Sequence, residues 1–96
     1  MNNIIQAIER IKYYEGLYEK LEEAINIYDK DPSLYLNIRD SINELEDYYS
    51  SEVWMEDYDL DSKNFLPNDL KRGVLSEDGL WNLLIEKDKI EKSIKD

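Results

Sequence analysis

The chain has 96 residues, 42% hydrophobic and 11% aromatic, with two prolines and three glycines: too apolar for a disordered acidic tail, and long enough for one small core. It contains no cysteine and no histidine, which excludes disulfides, thiol nucleophiles, the commonest general base near neutral pH and the commonest transition-metal ligand. A net charge of −11 disfavours binding to nucleic acid or an anionic membrane and favours a basic partner.

The first predicted element is a helix over residues 4–28. Ile4, Ile11, Tyr18 and Ile25 fill one heptad position, and Ala7, Tyr14, Leu21 and Tyr28 fill the position three later. A helix of about 25 residues is roughly 38 Å long. Ile8, Leu17 and Ala24 widen the stripe beyond a coiled-coil seam, as a bundle requires, though the heptads also leave room for a homodimer through this helix. Gly16 falls on the outer face. Pro32, in "DKDPS", cannot continue the helix.

A second helix is expected over residues 33–49, with Ile38, Ile42, Leu45 and Tyr49 on one face, making an antiparallel hairpin with the first. Residues 50–65, "SSEVWMEDYDLDSKNF", fit neither the helical nor the strand period. They read as a helical turn near 51–57 followed by a packed irregular segment.

The stretch "LPNDLKRGVLSED", residues 66–78, is dense in punctuation. Pro67 suits the first turn of a short helix, with Asp69 near its positive end and Lys71 and Arg72 at its negative end. Gly73 then suits a left-handed stop. Ser76 is placed to cap a final helix that runs to about residue 94, with Glu77 and Asp78 in its first turn and Leu75 and Leu80 spaced as a hydrophobic staple.

The stretches "YYSSEVWMEDYDLD" and "LPNDLKRGVLSEDGLWNLL" resemble the shared core of a small bacterial family known only as a domain of unknown function. Its short acidic members carry an N-terminal helix of the "YEGLYEKLEEAI" kind. The resemblance covers residues 14–84 and is most specific at Trp54, Asp57, Pro67 and residues 69–78. It implies a helical fold and no particular activity. Gly79 and the Asn-rich start depart from the pattern.

Charge is unevenly spread. Residues 44–61 hold eight acids and no base, whereas residues 62–96 hold seven of each. Eight unpaired acids are expected to repel one another in the compact state. Asp57, Asp59 and Asp61 imitate the start of a calcium loop, but Ser62 stands where glycine is wanted and Asn68 where a bidentate glutamate is wanted. They read as a solvated acidic turn. No phosphate loop, nucleophile elbow or metal set is present, so neither catalysis nor a cofactor is expected. Lys71 and Arg72 read as helix-end charges bridged to the acidic segment.

The sequence therefore predicts one all-α domain over residues 1–96: a long antiparallel helical hairpin, an acidic connector, a short helix and a C-terminal helix in a small bundle. The expected function is non-catalytic protein binding, with an acidic-aromatic surface meeting a basic partner. Its candidate residues are Glu52, Trp54, Glu56, Asp57, Tyr58, Asp59, Asp61, Lys71 and Arg72. The alternative is a nucleic-acid mimic that inhibits a nucleic-acid-binding defence protein. No signal segment or membrane span is legible, so a cytoplasmic location is expected.

Overall fold

The heptad stripe forms one long helix. In the computed structural model, which describes residues 2–95, α1 spans Asn2–Asn26. It is followed by α2 (Ser33–Asn37), α3 (Arg39–Tyr49), α4 (Glu52–Ser62), a single 3₁₀ turn (Gly73–Leu75) and α5 (Glu77–Lys95). All regular structure among the described residues is helical, so the fold is all-α.

The hairpin is antiparallel. Near its bend the ring of Tyr28 meets Tyr35 edge-on, and toward its open end the ring of Tyr14 stacks on Tyr48. Asp31 shapes the entry to α2 by accepting hydrogen bonds from the Ser33 amide and hydroxyl. Helix α5 runs back along α2 and α3, with Tyr35 and Arg39 bonded to Glu91 and Lys87 bonded to Glu46. The result is an elongated bundle, 48 × 22 × 20 Å. Ile11, Leu21, Tyr35, Leu45, Val74 and Leu80 are wholly buried at its centre. Each contributes on the order of 1.5–3 kcal/mol by leaving water. The α1 stripe is consumed by this core: Ala7, Ile11 and Leu21 are buried, and only Ile4 at its N-terminal end is exposed.

Four expectations need correction. The helix over 33–49 is broken at Ile38, whose backbone (φ −107°, ψ 13°) leaves the helical range. There the Ile38 amide bonds Tyr35 O three residues back, a tightened turn that separates α2 from α3.

The segment read as a helical turn plus irregular chain is a full helix, α4, of 11 residues. Ser51 starts it, its hydroxyl accepting from the Trp54 amide at 3.3 Å. Its period was hidden because its inward face carries an aspartate among the apolar residues.

No helix forms over 67–72. A single turn closes there, from the Leu70 amide to Pro67 O, and Arg72 is its hub. The Arg72 guanidinium donates to the carbonyls of Pro67 and Leu70 and to the Asp61 carboxylate. Gly73 does not adopt a left-handed conformation; it opens the 3₁₀ turn. The reason for a glycine is space. A Cβ there would lie 2.9 Å from the Tyr18 ring and 3.3 Å from Glu15 Oε2. The Ser76 cap forms as expected, its hydroxyl accepting from the Gly79 amide, with Leu75 and Leu80 both buried beneath it.

Candidate functional site

Helix α4 has two chemically different sides. Trp54, Asp57 and Asp61 point inward, spaced by three and four residues. Trp54 is 3% exposed, donates from Nε1 to Val74 O at 3.0 Å, and packs edge-on to Tyr49. It is a core residue that joins α4 to the 3₁₀ turn. Asp57 is fully buried and accepts from Arg10 Nε at 2.9 Å and from the Tyr48 hydroxyl at 2.6 Å. The Tyr48 ring in turn stacks on Tyr14, 3.9 Å between centroids. Burial pushes the Tyr48 hydroxyl pKa up, and its bond to the Asp57 carboxylate pushes it further.

The outward side carries Glu52, Met55, Glu56 and Asp59, all exposed, with Tyr58 at its edge. Met55 is 60% exposed, and Tyr58, lying against Trp54 at 5.3 Å, is 39% exposed. Of the nine predicted site residues, the fold therefore gathers four, Glu52, Glu56, Tyr58 and Asp59, on one open face. Trp54, Asp57 and Asp61 face the other way. Arg72 is half-buried at Asp61, and Lys71 stands apart, 3.7 Å from Glu19 of α1.

The acidic segment is also less bare in space than in sequence. Asp57 meets Arg10, Asp59 meets Lys63, Asp61 meets Arg72 and Glu46 meets Lys87, while Glu44 accepts from the Tyr13 hydroxyl. Bases from α1, from residues 63–72 and from α5 thus offset part of the expected mutual repulsion. Asp57, Asp59 and Asp61 lie on a helix and turn to three different cations, so they do not converge as a calcium loop requires. Asp47, Glu52 and Glu56 form no ion pair among the described residues, and two of these lie on the outward face of α4.

A family model described as a domain of unknown function (DUF4298) matches residues 5–95. The chain belongs to this family. The match extends beyond both ends of the resemblance noted in the sequence. Neither a curated protein nor a solved structure matches the chain. In this DUF4298 domain no helix among the described residues is long and apolar enough to cross a membrane.

Two features escaped sequence reasoning. Trp81 is 55% exposed on α5, beside a shallow groove of about 200 Å³ shared with Tyr49, Leu84 and Ile85. Its position one residue beyond Leu80, off the buried stripe, is the signal that could have placed it outside. The other is a groove of about 290 Å³ between α1 and the segment 63–72 that follows α4, lined by Lys12, Glu15, Gly16, Glu19, Asp69 and Lys71 among others. Glu15 is only 8% exposed, and its Oε1 accepts from the Val74 amide at 2.8 Å. Burial raises its pKa and the neighbouring Glu19 carboxyl adds to the rise, against the opposing pull of the Val74 amide and Lys71. Nothing in a heptad count distinguishes Glu15 from the solvated acids around it.

Proposed function

We propose that this domain is a non-catalytic protein-binding module whose recognition surface is the outward face of α4. The observation that carries the reading is the division of that helix. Trp54, Asp57 and Asp61 anchor its inner side, which leaves Glu52, Met55, Glu56 and Asp59 on a rigid outer side with Tyr58 at the edge. A helix already ordered loses little conformational freedom on docking. Exposed Met and Tyr offer adaptable and aromatic contact area, and the acids beside them suit a partner of basic surface. The charge also steers encounter with such a partner, in a salt-dependent way.

The nucleic-acid-mimic reading uses the same charge. Against it stands the interleaving of Lys63 and Arg72 with the acids they pair, which interrupts a phosphate-like array. The test is a cross-linking footprint on a complex recovered with the purified domain, repeated with competing oligonucleotide. Cross-links concentrated on residues 52–59, unchanged by oligonucleotide, are the expected result. Displacement by oligonucleotide would favour the mimic, and cross-links confined to other helices would overturn the α4 reading.

A further inference from the structure

Single exposed apolar residues are ordinary on a protein surface, but a concave cluster of them is not. Trp81 belongs to such a cluster. Trp81 and Ile85, four residues apart on α5 and both exposed, flank the buried Leu84, and together with Tyr49 of α3 they line a groove of about 200 Å³. That volume lies below the roughly 300–1,000 Å³ of sites that enclose small molecules. It is the size of an anchor pocket for a side chain of another protein.

The rim of this groove is acidic. Glu46 of α3 and Asp88 of α5 line it, and no lysine or arginine is among the lining residues. Lys87 reaches both carboxylates, at 2.7 Å each, but it is buried, and one ammonium answers only one of the two charges. Beyond the lining, Glu77 and Asp78 at the start of α5 lie close enough to Tyr49 to act on its hydroxyl. An apolar floor under an acidic rim disfavours two occupants. A second copy of the chain, at a net charge of −11, would set like charges against one another. An anionic lipid surface is repelled in the same way.

We propose that this groove receives a bulky apolar side chain from a basic segment of a partner protein. The side chain lies over Leu84 among Trp81, Ile85 and Tyr49, and lysine or arginine neighbours of that side chain meet Asp88 and Glu46 at the rim. Trp81 is the anchor: its indole supplies a large, stiff contact area, and its ring face also accepts a cation. Opposite charge steers and orients the segment, while burial of the apolar side chain holds it. No residue of α4 lines the groove, so the site stands whether or not the outward face of α4 meets a partner.

The experiment is an NMR titration of the whole domain that follows amide and indole N–H signals with short capped peptides. One carries a leucine flanked on both sides by lysines, one has serine in place of that leucine, and one has glutamates in place of the lysines. The tryptophans supply an internal control, because the Trp54 indole is buried against Val74 O and the Trp81 indole is open. The lysine-flanked leucine peptide is expected to give saturable shifts at the Trp81 indole and at residues 46–50 and 81–88, with the Trp54 indole unmoved. Trp81→Ala, at an exposed position that leaves the melting temperature near the parent's, weakens binding at least about tenfold. Asp88→Asn leaves the apolar floor in place and weakens it about threefold. Equal binding of the serine or the glutamate peptide, no saturable shift at the Trp81 indole, or full affinity in Trp81→Ala would each overturn the assignment. A Trp81 indole signal that moves with protein concentration alone would do the same, by placing a second copy in the groove.

Discussion

The Asp57 carboxylate is gripped by the Arg10 guanidinium through two hydrogen bonds, 2.9 Å from Nε and 2.5 Å from Nη2, across 47 positions of sequence. Asp57 is fully buried, whereas the Arg10 side chain keeps 32% of its surface. The pair is thus anchored on one side and hydrated on the other. It is the link that fixes α4 to the first helix, and the Tyr48 hydroxyl completes it from α3.

Removing that charge should be costly. Asp57→Asn leaves a guanidinium and a buried hydroxyl with a poorer acceptor, and on the order of 3 kcal/mol of stability is expected to go. The exposed pair between Asp59 and Lys63 is the control: Asp59→Asn should change stability by about 1 kcal/mol or less. Denaturant unfolding of both variants checks the contrast, and equal effects would mean that the Asp57 network adds nothing specific.

Glycine-to-alanine changes should have opposite signs at two positions. At Gly73 a new methyl group meets the Tyr18 ring and the Glu15 carboxylate, an overpacking that costs about 1–3 kcal/mol. At Gly16, inside α1 with open space around it, alanine should stabilise by up to about 1 kcal/mol through helix propensity. Thermal melts of the two variants shift in opposite directions if this geometry holds.

Much of the fold was legible because it obeys one period. Ala7, Ile11 and Leu21 fall on a heptad stripe that is also the buried stripe, and Ser76 with Leu75 and Leu80 marks the start of α5 through local chemistry alone. Helix α4 was not legible, because Asp57 occupies a core position that a count of apolar residues scores as surface. The role of Gly73 was misread for a similar reason: a residue from α1 some 55 positions earlier, Tyr18, decides it. The pairing of the acidic segment with Arg10, Arg72 and Lys87 is likewise a product of the tertiary fold. No window of sequence contains both partners of Asp57, so a run of acids without a base looked barer than it is.

Tyrosine ionisation should report the integrity of the core. Burial raises the hydroxyl pKa values of Tyr35 and Tyr48, and each also donates to a carboxylate, Glu91 and Asp57 respectively. Both therefore keep their protons in the folded chain above the ordinary tyrosine value of about 10. The stabilisation they bring is complete below that pH and is lost as pH rises beyond it. In a phenolate absorbance titration, Tyr35 and Tyr48 should ionise only as the helices melt. A single transition for all tyrosines, with helicity intact, would contradict their burial.

Helix α4 holds the fold with one side and, on the proposed reading, meets a basic partner with the other. The decisive measurement is titration calorimetry with the partner recovered by cross-linking, using two α4 variants whose melting temperatures are recorded alongside. Glu52→Gln, Glu56→Gln and Asp59→Asn combined with Met55→Ala should melt close to the parent and bind at least about 2 kcal/mol more weakly, as expected of a true hot spot. Asp57→Asn, in contrast, should lower the melting temperature and, below it, leave the affinity nearly unchanged. An outer-face variant that binds as tightly as the parent would contradict the account.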